Sequence, residues 1–280
     1  MRKSIIILLL AALFPLSCTK TIPQSESHLV VEGWIESGGH PMVLLSESLI
    51  VELGKEFRSV DFLESVAKWA RVTVSDGDTT IVLTGVTDAN YFPPYVFSTS
   101  KMTGKVGKTY ELRVEYKDYV ATAKTTIPEP VPLDTVYVAS VKDSLCYVVC
   151  GFTDPAKKGN NYKIFTRTEG RDTRYHPSAL AQTDDELLNG YTEVFLYSTL
   201  RMMEFIAIPN IRVGEEFWVK LCTMDDEAYN FWKYYEVILY ANVFNAETGA
   251  VMSGNVNGAL GYWIGYGVDK PVCIKLEEPK

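Results

Sequence analysis

Short runs of alternating apolar and polar residues, broken by turn chemistry, restrict the fold of this chain more than any other feature. The sharpest run is Arg71-Val-Thr-Val-Ser-Asp-Gly-Asp-Thr-Thr-Ile-Val-Leu83. Val72 and Val74 alternate with polar neighbours, and Asp76-Gly77 supplies the positive φ angles of a tight hairpin. Asp76 and Asp78 do not make a calcium loop, which needs further ligands ending in a Glu at its twelfth position. Thr109–Tyr116 alternates in the same way, and Tyr119–Ile127 reads as its partner across Lys117-Asp118. His28–Ile35 and Pro41–Ser46 are further strand-like runs.

Three prolines in five positions, Pro128-Glu-Pro-Val-Pro132, forbid strand or helix and mark a stiff connector over residues 128–133. Residues 28–127 are then expected to form one β-sandwich-like domain. Residues 134–280 form a second β-rich domain, with strands expected at 134–141, 144–153, 161–168, 191–198, 203–208, 215–223 and 270–276. One or two helices interrupt it. The weaker pattern is Pro177–Leu188. The stronger is Asp225–Phe244, where Ala228, Phe231, Trp232, Tyr235, Ile238, Leu239 and Asn242 recur at helical spacing. Thr223 and Asp226 stand at capping-box spacing, and Asp225, Asp226 and Glu227 suit the positive end of the helix dipole. Phe231, Trp232 and Tyr235 are expected to face the core.

The N-terminus carries an address. Arg2 and Lys3 precede an apolar stretch from Ile5 to Phe14, and Pro15-Leu16-Ser17 leads into Cys18. The stretch is shorter than the roughly 20 residues of a membrane span. It reads as a lipoprotein signal peptide over residues 1–17, with Cys18 as the lipidation site. Polar residues 18–27 form a tether. Cleavage removes two basic residues and no acid, taking the formal charge from −8 to −10. So acidic a chain has no electrostatic footprint for nucleic acid. Cys146, Cys150, Cys222 and Cys273 are too few and scattered for a disulfide framework. Cys146 and Cys150 would share a strand face roughly 13 Å apart, too far to bond each other. Buried free thiols are expected, with a single disulfide to Cys222 or Cys273 as the alternative.

No motif calls for a metal or cofactor. There is no H-E-x-x-H, no G-x-S-x-G and no G-x-x-x-x-G-K-[ST]. His28, His40 and His176 read as loop or strand-edge residues. Asp184-Asp-Glu186 and Asp225-Asp-Glu227 could supply the paired carboxylates of a glycosidase, but both lie where helix ends place acids anyway. Loop aromatics are the more suggestive group: Tyr91, Phe92 and Tyr95 in Tyr91-Phe-Pro-Pro-Tyr95, and Trp263 among the C-terminal glycines. They are the candidate binding surface.

Four segments carry a family likeness: Leu29-Val-Val-Glu-Gly-Trp-Ile35, Gly104-Lys-Val-Gly-Lys-Thr-Tyr-Glu-Leu112, Thr125-Thr-Ile-Pro-Glu-Pro-Val-Pro-Leu-Asp134 and Gly254-Asn-Val-Asn-Gly-Ala-Leu-Gly-Tyr-Trp-Ile-Gly-Tyr266. With them the chain resembles the Bacteroidota lipoproteins of domain-of-unknown-function family 4249. The resemblance implies an outer-membrane lipoprotein, mostly β, with an immunoglobulin-like first domain and a TonB-dependent transporter as partner. It implies no catalytic residues. The first acid after Cys18 is Glu26, so periplasmic and surface-facing placements both stay open. Three functions follow as alternatives: a non-enzymatic binding or accessory lipoprotein, a hydrolase of envelope polymers or glycans, and a structural or adhesion protein.

Overall fold

The computed structural model describes residues 27–48, 63–186, 190–196, 211–243 and 254–278, with side chains of the last helix to residue 237. The expected signal peptide, Cys18, the tether up to Glu26 and the expected strand at 203–208 lie outside these residues. The molecule is mainly β. Before the proline segment come β1 (Leu29–Glu36), β2 (Met42–Glu47), β3 (Arg71–Ser75), β4 (Thr80–Val82), β5 (Thr84–Val86), β6 (Val96–Ser98), β7 (Thr109–Tyr116) and β8 (Tyr119–Thr126). After it come β9 (Thr135–Lys142), β10 (Leu145–Asp154), β11 (Asn161–Thr168), β12 (His176–Asp184), β13 (Gly190–Leu196) and β14 (Glu216–Met224). The helix α1 (Asp226–Val243), β15 (Leu260–Val268) and β16 (Val272–Lys275) follow.

The hairpins form as their turns dictate. Asp76 Oδ1 accepts the amides of Asp78 at 3.1 Å and Thr79 at 2.8 Å, and Gly77 takes φ 89°, closing β3 onto β4. β7 and β8 pair from Thr109↔Thr126 to Tyr116↔Tyr119, with Lys117 in the left-handed region at φ 50°. Tyr110, Leu112 and Val114 point inward, as their alternation requires.

One large sheet holds the molecule together. Its strands run β12-β11-β14-β15-β1-β2-β6-β5, with β16 also paired to β14. It is continuous across the proline segment, because β15 lies parallel to β1 from Val30↔Leu260 to Glu36↔Tyr266. Two smaller sheets cover one face. The sheet β4-β3-β7-β8 packs over β1, β2 and β6 through Leu29, Val31, Ile35, Val72, Leu112 and Val114. The sheet β13-β10-β9 packs over β11 and β14 through Val148, Cys150, Phe152, Ile164, Phe217 and Val219. On the opposite face α1 lies against β12, β11 and β15, with Phe231 and Trp232 meeting Ile264 and Tyr266. The register explains one glycine. Gly33 sits opposite Trp263, and a Cβ there would come within 2.8 Å of the indole. The Gly-Trp juxtaposition lets β15 lie flush on β1.

Two expectations are corrected. The helix expected from Pro177 is the strand β12. It pairs with β11 at Asn161↔Asp184, Tyr162↔Thr183 and Lys163↔Gln182, then shifts register to Phe165↔Pro177. Ser178, Ala179 and Ala181 are buried, and β12 also packs against α1, so tertiary contact overrides a weak local preference. The cap of α1 is Asp225, whose Oδ1 accepts the Ala228 amide at 2.9 Å, rather than a Thr223–Asp226 box. Thr223 Oγ1 lies 2.8 Å from the Glu129 carbonyl, and Asp226 accepts the Asn161 side-chain amide at 2.7 Å. The four described cysteines are free thiols, three buried and Cys273 exposed.

Candidate functional site

The strand alternation that sends Val31 and Ile35 into the first core turns Glu32, Trp34 and Glu36 to the opposite face. There α1 covers only part of the sheet. A cavity of about 950 Å³ remains between β1, β15, β14, α1 and two loops. Residues 87–95, linking β5 to β6, bring Tyr91 and Phe92; residues 169–175, linking β11 to β12, bring Arg174 and Tyr175. The volume lies within the range of small-molecule sites.

Aromatic rings dominate the walls. Trp34 and Tyr91 stand 6.1 Å apart, Phe231 and Tyr262 4.2 Å, and Phe165 lies 5.6 Å from Tyr266. Trp232 Nε1 donates to the Tyr266 hydroxyl at 2.8 Å, which fixes both rings. The loops meet where the Arg174 guanidinium lies 5.1 Å from the Tyr91 ring centre.

The charges are set by depth. Glu32 lies at the cavity floor; burial pushes its carboxyl up, opposed by the Tyr262 hydroxyl it accepts and by the Arg174 charge. Burial likewise pushes Tyr262 and Tyr266 well up. Lys220 is buried, which works against its charge, yet the Cys222 thiol, Glu36 and Tyr175 together hold its pKa above the ordinary value. It pairs with Glu36 at 2.5 Å and lies 4.6 Å from the Tyr175 ring centre. Beside the cavity, Lys163 pairs with Glu236 at 2.7 Å, with side chains 0% and 5% exposed. Lys163 Nζ also donates to the Ser178 carbonyl at 3.0 Å.

Of the four aromatic candidates, Tyr91 and Phe92 line the cavity. Tyr95 packs instead against Phe97 at 5.4 Å and over Gly85. Trp263 is fully buried in the first core, where its Nε1 donates to the Tyr110 carbonyl at 3.0 Å. Cys18 lies outside the described residues. The acidic clusters are engaged locally: Asp185 accepts the Asn160 amide at 2.9 Å, Asp184 the Glu186 amide at 3.2 Å, and Asp225 caps α1. His40 contacts the Met102 carbonyl at 2.8 Å, and His176 joins the ladder opposite Thr166. Among the described residues, no group of three His, Cys, Asp or Glu side chains could hold a metal ion.

Sequence reasoning passed over Glu32, Arg174 and Lys220. Glu32 had a signal, an acid amid the apolar residues of Leu29–Ile35. Arg174 had none, because only the fold brings residues 169–175 to β1.

No curated protein matches the chain. Two solved structures, described as cytokine receptor complexes in crystal forms 1A and 2, overlap it at 7% and 10% identity. They cover 88% and 72% of this chain and 95% and 92% of theirs, with TM-scores of 0.26 and 0.25, values at which the overlap carries no argument. A family model described as "Domain of unknown function (DUF4249)" matches residues 18–271, and the chain belongs to that family.

Proposed function

We propose that the protein is a non-enzymatic binding lipoprotein of the cell envelope, held to the outer membrane through Cys18, that serves as an accessory to a TonB-dependent transporter. The observation that carries the binding role is the aromatic cavity between the large sheet and α1. The engagement of Asp184, Asp185 and Asp225 in backbone hydrogen bonds favours binding over acid–base chemistry at those clusters. The signal-peptide pattern ending at Ser17-Cys18 supports the anchor. Two sheets packed face to face over the first core support an immunoglobulin-like character for residues 28–127. Anchoring would confine protein and transporter to one membrane, so that weak contacts suffice.

The test is affinity purification of tagged protein from native membranes. The expected result is co-recovery of a TonB-dependent transporter with wild type and its loss with Cys18→Ala, which should also abolish labelling by a fatty-acid probe. Equal labelling of wild type and Cys18→Ala would refute the anchor. Failure to recover a transporter, together with hydrolysis of an envelope polymer lost in Asp184→Asn or Asp225→Asn, would replace the binding role by the hydrolase.

A further inference from the structure

The cations around the cavity are matched with one exception. Arg167 pairs with Glu169 at 2.7 Å, Arg171 with Glu215 at 3.2 Å, Lys220 with Glu36 at 2.5 Å, and Lys163 with Glu236 at 2.7 Å. Among the described residues no carboxylate lies within ion-pair distance of the Arg174 guanidinium. Its Nε is shielded from solvent and lacks a hydrogen-bond partner. The Nε atoms of Arg167 and Arg171 share that condition, but those guanidiniums each hold a carboxylate. What Arg174 does touch is the face of Tyr91. The ring holds the guanidinium at the cavity without neutralising it. A guanidinium presents paired donors in a planar fork matched to an oxyanion.

We propose that the cavity takes a small molecule with an oxyanion group and a planar or ring-shaped apolar body, the oxyanion held by Arg174 and the body lying against the aromatic lining formed by Trp34, Tyr91, Phe231 and Tyr262. This rests on the binding role of the cavity proposed above. The lining suits the body: Trp34 and Tyr91 form one aromatic pair in it, and Phe231 and Tyr262 another. A cationic ligand is disfavoured. Glu32, the acid at the floor, already accepts the Tyr262 hydroxyl and is pushed by burial toward its neutral form, and Glu36 is occupied by Lys220. Among the described residues, Arg174 is thus the cation at the cavity with no carboxylate in ion-pair contact and with an unpartnered Nε. Carboxylate, phosphate and sulfonate share the chemistry this requires.

The experiment compares two probes of one shape, 2-naphthoate and 2-naphthamide, on the full chain in mild detergent with detergent-only blanks. Affinity is read by ligand-observed NMR titration. Wild type should bind naphthoate about tenfold or more tighter than naphthamide, the effect of one charge-assisted pairing. Arg174→Gln should erase that preference by weakening naphthoate far more than naphthamide, and Arg174→Lys should retain part of it. Trp34→Ala should weaken both probes alike. Among the described residues Arg174 makes no ion pair, so Arg174→Gln loses mainly the contact with the Tyr91 face and should melt only a few degrees below wild type, which a thermal melt checks. Equal affinity of wild type for the two probes, or an unchanged preference in Arg174→Gln, would overturn the oxyanion assignment and leave the cavity as a neutral binding site. Binding of neither probe, or binding indifferent to Trp34→Ala, would overturn the cavity itself as the binding site.

Discussion

Replacing Glu236 with Gln leaves Lys163 inside the fold without its counter-charge. The pair is closed at 2.7 Å, and neither side chain reaches solvent to any useful extent. The remaining contacts of the ammonium are the Ser178 carbonyl at 3.0 Å and the Trp232 ring, whose centre is 5.2 Å away. Neither carries a full negative charge. Breaking one side of such a pair costs about 3–5 kcal/mol. At about 2–4 °C per kcal/mol for a chain of this size, the melting temperature should fall by roughly 6–20 °C. The double variant Lys163→Met/Glu236→Leu removes both desolvation costs together and should recover most of the loss. The pH dependence has a definite sign. Burial lowers the Lys163 pKa against the opposing pull of Glu236, and Glu236→Gln removes the opposition. Between the lowered folded value and the ordinary lysine value of about 10.4, the unfolded chain binds more protons than the folded one. Stability therefore rises with pH across that window, and the deficit of Glu236→Gln should narrow as pH rises from neutral towards it. Urea and thermal melts of both variants at neutral and alkaline pH test this. A Glu236→Gln protein that melts with wild type, or a double variant no better than the single one, would refute a closed buried pair.

Two further outcomes are expected. Trp263→Ala empties a fully buried indole site between β1, β15 and β7 and should cost about 3–5 kcal/mol in a chemical melt, whereas Tyr95→Ala, at a half-buried edge of the same core, should cost less. A thiol reagent applied to the native protein should modify Cys273 alone among Cys146, Cys150, Cys222 and Cys273. The other three are buried, and burial pushes the Cys150 thiol up to about 12, so their labelling should wait for unfolding.

Local chemistry was the legible part of this chain. The hairpin around Asp76-Gly77, the β7–β8 pair and the apolar stripe of α1 all declare themselves through neighbours a few residues away. β12 did not, because its strand state depends on pairing with β11 and not on its own alternation. The parallel seam of β1 and β15 was equally silent: β1 reads as a strand, but Leu260–Val268 reads as part of a glycine-rich loop, and nothing in either segment names the other. The same reason divides the candidate aromatics. Tyr91 and Trp263 both sit in loop-like, glycine- or proline-rich surroundings, yet one lines a cavity and the other is core, and only the large sheet decides which. Lys163 was hidden because a lysine within an apolar strand shows its partner only once α1 is laid across it.

The seam between β1 and β15 also sets an order of assembly. The Ser37 hydroxyl bonds to both the carbonyl and the amide of Val268, closing a loop of 231 residues. β15 fills the place between β14 and β1, so until it arrives the first core lacks Trp263 and β1 shows a bare edge. A chain synthesised N-terminus first therefore carries an unfinished sheet until its last strands are made. Contacts so distant in sequence are slow to form, and an unpaired strand edge in the interval invites pairing with a neighbouring molecule. Chaperone protection of the nascent chain would matter most in the interval before residues 254–268 emerge, and truncations that stop short of β15 should aggregate instead of leaving a folded first half.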